Sequence, residues 1–444
     1  MNRLLIIIIL LGFLDPQELR AQNEQYSMSL QEAIDYALVH NQNILNAQLD
    51  IVAAEGITKE NIASGLPQIN ASIDLSDNFE LPTSFLPGEI IGQPGELVPV
   101  QFGTKYSGNA TISATQMVFD GVFFVGLQAA KTYQQLSTKA HIKTKIDVVE
   151  AVSKAYYNVL VNKLTLELVE KNYGRLDTLL SDTKAMYESG FAERIDVGRV
   201  QIQYNNIKIT RDNSTKMLAI AESLLKFQMG MPIDYQVELT DKLSKEMFED
   251  TEPESFNYDQ RIEYSILQTQ EELALLAIKR TKVAYIPNMD LYANIGGVAG
   301  TGLAGNLFNV GNDWYGYGVV GLRLKIPIFD GLRKHNQLQQ NKADLGKVRN
   351  SFELLKNSIN LELQQTQVVY TNSIDFMNVQ LENMEISEDV YNVTKTKYEQ
   401  GVGSNIEVMN ADADFKEAQT NFFQALYQAL LAKVDYEKAM GKLN

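Results

Sequence analysis

The chain states one long pattern twice. Phe119-Asp120-Gly121 returns as Phe329-Asp330-Gly331, Tyr187-Glu188-Ser189-Gly190 as Tyr398-Glu399-Gln400-Gly401, and Met229-Gly230 as Met440-Gly441. About 210 residues separate the members of each pair, far more than any solenoid repeat. Each copy reads as helix, strand, strand, very long helix, sharp turn, helix. A unit that joins long helices to a pair of amphipathic strands suits a chain that crosses a bilayer and stands off from it.

Proline placement sets the helix lengths. No proline lies between Pro99 and Pro232 or after Pro327, so two long tracts are free of helix breakers. Gly121 to Glu188 and Gly331 to Glu399 are each about 68 residues, or roughly 100 Å as helices. Ser29 to Gly65, Ile195 to Gln228, Tyr258 to Ala284 and Ser404 to Met440 are around half as long. Pro67 and Pro287 mark where a helix stops and a strand begins. Met377, Leu381, Met384, Tyr391 and Tyr398 recur at helical steps, as in a coiled-coil seam.

Four strands alternate cleanly. Ile69, Ala71, Ile73 and Leu75 interleave with polar residues, as do Ala110, Ile112 and Ala114. Met289, Leu291, Ala293 and Ile295 do the same, followed by Val320, Leu322, Leu324 and Ile326. One apolar and one polar face over roughly 9–12 residues is what a tilted membrane strand needs. Phe79, Tyr106, Trp314, Tyr315 and Tyr317 gather at the loop end as membrane-interface aromatics, while Arg323 and Lys325 fall on the polar, lumen-facing side. The connecting loops are 80–104 and 299–313. Four strands do not close a barrel, and open edges in lipid leave backbone groups unpaired, so other chains must complete it.

The N-terminus points to export. Arg3 precedes an apolar run from Leu4 to Leu14, and Ala21 offers a cleavage site, as in a signal peptide over residues 1–21. The chain has no cysteine, and its net charge of −16 argues against nucleic acid. Gly300 to Gly305 matches a dinucleotide fingerprint but lacks the helix that must follow it, and His40, His141 and His335 are scattered. No catalytic, cofactor or metal site is expected.

The paired turns carry chemistry of another kind. Gly190 and Gly401 suit left-handed helix caps. Beyond them, Asp196 and Glu407 occupy matching places, Glu407 within a Ser404-Asn405-Ile406-Glu407 capping box. Both acids suit a helix start; both also suit a ring of carboxylates at a narrow mouth selecting cations.

Order and spacing together resemble the TolC family of outer-membrane efflux channels, over essentially Ser29 to Gly441. The fold expected is a mixed α and β membrane protein, with a long α-helical coiled-coil barrel continuous with a transmembrane β-barrel. It has four strands per protomer and two internal repeats, 22–230 and 258–444, flanking an acidic equatorial connector at 231–257. The resemblance implies a homotrimer in the outer membrane of a Gram-negative bacterium, docked to a periplasmic adaptor and an inner-membrane pump. It places constriction acids on Asp196 and Glu407, and a tip network with adaptor docking on Tyr187, Gly190, Arg194, Tyr398 and Gly401. A further acidic position falls on Asn410, and a basic locking position on Gly403, leaving Arg194 or Arg199 as the replacement cation. The expected function is a passive channel subunit for tripartite efflux or type I secretion. The rival reading is a periplasmic coiled-coil adaptor or scaffold.

Overall fold

A computed structural model describes residues 25–90, 92, 95–243, 248, 256–308 and 314–443. The signal-peptide expectation lies outside the described residues, as do much of 244–255 and residues 309–313. In chain order the elements are β1 (Gln25–Met28), α1 (Leu30–His40), α2 (Gln42–Ala63), β2 (Gln68–Asp77), β3 (Thr83–Pro87), β4 (Leu97–Gln101) and β5 (Tyr106–Phe119). There follow α3 (Gly121–Glu188), α4 (Arg194–Met229), β6 (Gln236–Leu239), α5 (Ile262–Val283), β7 (Asn288–Thr301), β8 (Trp314–Lys325), α6 (Arg333–Glu399) and α7 (Asn405–Ala439). The contacts divide the chain into two units, each drawing on both sequence copies. One takes residues up to Ala47, His141–Ile262 and Lys356 onward; the other takes Gln48–Ala140 and Glu263–Leu355.

The second unit holds an antiparallel sheet of order β2-β5-β7-β8. The central β5–β7 ladder joins the two copies, pairing Ile112 with Ile295 and Ala114 with Ala293. Register gathers Ile69, Ile73, Ile112, Ile295, Leu322 and Leu324 on one face, and Asn70, Asp74, Asn109, Asn294 and Arg323 on the other. That apolar face is largely uncovered within a single chain. Polar staples hold the helices of this unit: Lys139 Nζ donates to Thr269 Oγ1 at 2.7 Å, and Asn341 Nδ2 to Thr281 Oγ1 at 2.8 Å.

The helical unit has its main core where α3 and α4 meet α1 and α7. Val152, Tyr156 and Leu160 on α3 pack with Leu225 and Met229 on α4, Ala33 and Ala37 on α1, and Ala429 and Leu430 on α7. The three- and four-residue spacing aims them at one side, and each large buried apolar side chain contributes roughly 1.5–3 kcal/mol. Tyr156 Oη donates to Met28 O at 3.1 Å and to Asp241 Oδ2 at 2.9 Å, pinning the C-terminal ends of both strands of a small parallel sheet, β1–β6, onto α3.

Several expectations need correction. The helix expected from Ser29 to Gly65 breaks at Asn41, which is extended at ψ 127°. The loop 80–104 contains an antiparallel hairpin, β3–β4, despite its prolines. β7 continues through Ala299 to Thr301, and β8 stops at Lys325, so Ile326 and Pro327 lie beyond the strand. The four-residue strands β1 and β6 are too short to show a period in sequence.

Candidate functional site: hairpin tips and the polar sheet face

The Phe-Asp-Gly repeats are helix starts. Asp120 Oδ1 accepts from Val122 N–H at 2.7 Å, and Asp330 Oδ2 from Lys334 N–H at 3.2 Å. Each carboxylate meets the orphan donors and positive end of the following long helix.

The far ends close in matched Schellman turns. Gly190 (φ 80°) donates to Tyr187 O at 3.0 Å while Phe191 N–H reaches back to Met186 O at 2.8 Å. Gly401 (φ 75°) donates to Tyr398 O at 3.0 Å, and Val402 N–H to Lys397 O at 3.0 Å. A left-handed residue is required at both places, which is why glycine recurs. The next side chains are left bare: Phe191 is 86% exposed and Val402 78%.

Beyond the turns, the two acids differ. Asp196 Oδ2 accepts from Glu193 N–H at 3.2 Å, and Oδ1 lies 3.6 Å from Arg199 Nη1. Glu407 N–H reaches Ser404 Oγ at 3.4 Å, while the Glu407 residue is exposed. The reciprocal half of the cap therefore forms at Asp196; at Ser404-Asn405-Ile406-Glu407 only the serine half forms among the described contacts. Arg199, rather than Arg194, supplies the cation near Asp196. Tyr398 bridges the hairpins, its hydroxyl 4.0 Å from Met186 Sδ. Burial and the neighbouring Asp196 charge push its phenol up. Gly403 has a local reason: a Cβ there would lie 3.1 Å from Tyr398 N and 3.2 Å from Lys397 Cβ, so a long basic side chain fits poorly. Tyr187 and Asn410 are exposed.

On the sheet, register sorts the aromatics. Tyr106 and Trp314 share the apolar face; Trp314 lies against Gly108, where a Cβ would meet its ring at 2.9 Å, and its Nε1 donates to Leu307 O at 3.0 Å. Tyr315 and Tyr317 fall on the opposite, polar face, and Tyr317 Oη meets Thr111 Oγ1 at 2.6 Å. Period-two alternation splits Trp-Tyr-Gly-Tyr, so these two tyrosines leave the membrane-interface set. Phe79 stands in the loop, 95% exposed. Arg323 lies over the Tyr292 ring at 4.9 Å, on the same face as Lys325 and Asp290.

Sequence reasoning missed a buried polar cluster near the tips. Asp412 is flanked by Arg175 Nη2 at 3.3 Å and Lys416 Nζ at 2.5 Å. Arg175 stacks on Tyr391 at 4.4 Å, and Asn172 Nδ2 donates to Gln419 Oε1 at 3.0 Å. The available signal was spacing: Asp412 and Gln419 continue the Val408–Phe415 stripe of α7, and Asn172 the Val169–Leu176 stripe of α3. Among the described residues no group of His, Cys, Asp and Glu is placed to hold a metal, and no helix is long and apolar enough to cross a membrane.

A two-faced sheet with open edges, together with paired helical hairpins ending in acid-bearing turns, defines a subunit of a membrane-spanning channel. Residues 33–230 and 267–442 match the outer membrane efflux protein family, and the chain belongs to that family. It is 21% identical over 417 residues to the probable efflux pump outer membrane protein TtgC of Pseudomonas putida, spanning 93% of this chain and 83% of that one. It is also 21% identical over 349 residues to the outer membrane protein TolC of Escherichia coli, spanning 76% and 70%. The crystal structure of the outer membrane protein VceC from Vibrio cholerae superposes with a TM-score of 0.70 at 14% identity, covering 93% of this chain and 96% of that one. The TolC-like fold, the outer-membrane location and the role of channel subunit in efflux follow from family membership.

Proposed function

We propose that three copies of this chain form a passive export conduit, energised by an inner-membrane pump through a periplasmic adaptor, with no catalytic step of its own. The observation that carries the reading is the four-stranded sheet: one face apolar and largely uncovered, with β2 and β8 each paired on one side only among the described residues. In lipid each unpaired backbone group costs several kcal/mol, so the edges must meet other copies. Three copies give twelve strands, within the range of closed membrane barrels.

Two uncovered helix stripes support the same assembly. Ile195, Ile202 and Ile209 on α4, and Val379, Ile386 and Val393 on α6, recur every seven residues and are each more than half exposed. Heptad seams of this kind look for a partner helix. Asp196 and Glu407 then form the carboxylate ring of the periplasmic mouth, and Tyr187, Gly190, Arg194, Tyr398 and Gly401 the tip network where the adaptor docks. Arg323 and Lys325 line the barrel. Cargo is a small toxic molecule or a secreted polypeptide handed over by the pump.

Extraction and mass test the assembly. Detergent-solubilised protein should have the mass of three chains and migrate differently on gels before and after boiling. A monomer soluble without detergent overturns the conduit and favours the periplasmic scaffold.

A further inference from the structure

Two tyrosines on the polar face of the sheet lie along it rather than out from it. Register puts Thr111 on β5, Gly296 on β7 and Tyr317 on β8 side by side in one row. The Tyr317 side chain runs down that row: a Cβ at Gly296 would lie 3.1 Å from its Cε1 and Cζ, and its hydroxyl meets Thr111 Oγ1 at 2.6 Å. Thr111 donates onward to Asn109 Oδ1 at 3.1 Å, so the tyrosine O–H is the donor of the first bond. Tyr292 on β7 lies over its own partner, Gly321 on β8, where a Cβ would fall 2.6 Å from its ring. Each ring crosses a glycine because a larger residue there would lift it off the sheet, and the cross-strand contact holds it down.

One of these rings already carries a cation. The guanidinium of Arg323, planar and delocalised, lies over Tyr292 at 4.9 Å, a contact that aromatic faces favour. Among the described residues no cation lies over Tyr317 or over its neighbour on the same face, Tyr315, and the two side chains are 38% and 71% exposed. Charge on this face is sorted by height. Asp290, Arg323 and Lys325 sit at the helix end of the strands, while toward the loop end the strands carry only Asp74, in the same row as Tyr315. The open rings therefore share their end of the face with one negative charge, no positive one, and a belt of hydroxyls and amides.

We propose that Tyr315 and Tyr317 form a stacking site for planar organic cations on the barrel wall, with Tyr292 below them closed to cargo by its resident Arg323. The proposal rests on the channel reading above, which makes this face the lumen and repeats the site in every copy. Cation–π contacts at exposed rings are individually weak. Weak sites repeated along a path let a conduit admit cargo without retaining it.

The test uses the full-length channel in planar bilayers, with N-methylacridinium as the probe and neutral acridine, in the same mildly alkaline buffer, as its uncharged counterpart. The cation should interrupt the current reversibly, and acridine much less. Tyr315→Leu and Tyr317→Leu should each weaken the block by about two- to fivefold, and more together, whereas Tyr317→Phe should retain it. Arg323→Gln, which uncovers the Tyr292 ring, should tighten the block more than Lys325→Gln, which removes the same charge without uncovering a ring. Block that is unchanged in Tyr315→Leu/Tyr317→Leu overturns the site, as does block that disappears in Asp196→Asn/Glu407→Gln with both tyrosines intact. Equal tightening by Arg323→Gln and Lys325→Gln reduces the effect to charge alone and overturns it as well. In each of these cases inserted channels leave the conduit standing, whereas folded protein that never inserts overturns the channel reading and the site with it.

Discussion

Asn41 Nδ2 donates to the carbonyl of Gln228 at 2.7 Å, two residues before the glycine that ends α4. Its counterpart in the second copy is Arg261, whose Nη1 donates to Ala439 O at 2.9 Å, two residues before Gly441. Both donors immediately precede 22-residue helices, α2 and α5. The duplication is thus preserved in tertiary hydrogen bonds that satisfy helix ends, although the donors differ in type.

The glycines at these joints are fixed twice over. Gly230 and Gly441 have φ of 73° and 72°, and a Cβ would lie 2.6 Å from His40 O and 2.8 Å from Gln260 O. Gly230→Ala or Gly441→Ala should lose about 1–2 kcal/mol to the left-handed backbone, and more to the contact. Gly346→Ala, in mid-helix with open space, should instead gain about 0.5–1 kcal/mol. Thermal melts followed by helical circular dichroism check both signs.

Acid should loosen α7 from α3. Burial alone would raise the Asp147 and Glu150 carboxyls; hydrogen bonds from Lys143 and Lys438 to the first, and from Lys154 and Lys438 to the second, outweigh it and hold both below their ordinary values of 3.8 and 4.5. Depressed acids contribute stability that is present above those values and lost as pH falls through the lowered ones. Being partly exposed, each pair should contribute about 1 kcal/mol or less. The melting point of wild type should therefore drop below about pH 4.5 more steeply than that of Lys438→Met, which already lacks the shared cation. Equal slopes would remove the cluster from the account.

Tyr156→Phe should cost about 1–2 kcal/mol, because Met28 O loses its buried donor while Asp241 keeps Leu30 N–H at 2.8 Å. Burial and the Asp241 carboxylate hold the Tyr156 phenol well above the ordinary tyrosine range, and burial pushes Tyr157 up to about 12. Ultraviolet titration of the native protein should show these two ionising after the exposed tyrosines.

Trp314 is the chain's single tryptophan and lies on the apolar sheet face with Tyr106. In vesicles its fluorescence should be quenched most by lipids labelled near the headgroup, as expected of an interfacial belt. Absence of quenching by any labelled lipid would place that face away from the bilayer.

Much of the architecture is legible in the residues themselves. Ile69 to Leu75 and Met289 to Ile295 alternate because one face meets an apolar medium, and the glycines at 190 and 401 recur because their φ is positive. The break at Asn41 carries only a faint local signal, an asparagine whose Oδ1 accepts from Asn43 N–H at 2.8 Å at the start of α2, and its Nδ2 is held by the distant carbonyl of Gln228. Arg175 and Asp412 read as solvated helix charges until the fold brings three helices together around them. Tyr315 and Tyr317 show a different failure, in which clustering in sequence concealed the alternation that sends them to the polar face. The hairpin β3–β4 was hidden by prolines at its ends and within its second strand.

Single-channel recording of the purified wild-type protein in a planar bilayer tests the central claim most directly. The expected result is discrete, small, cation-preferring steps, with the cation preference reduced in Asp196→Asn/Glu407→Gln. A preparation with intact helical content that produces no steps, and stays in solution without detergent, would contradict an outer-membrane conduit.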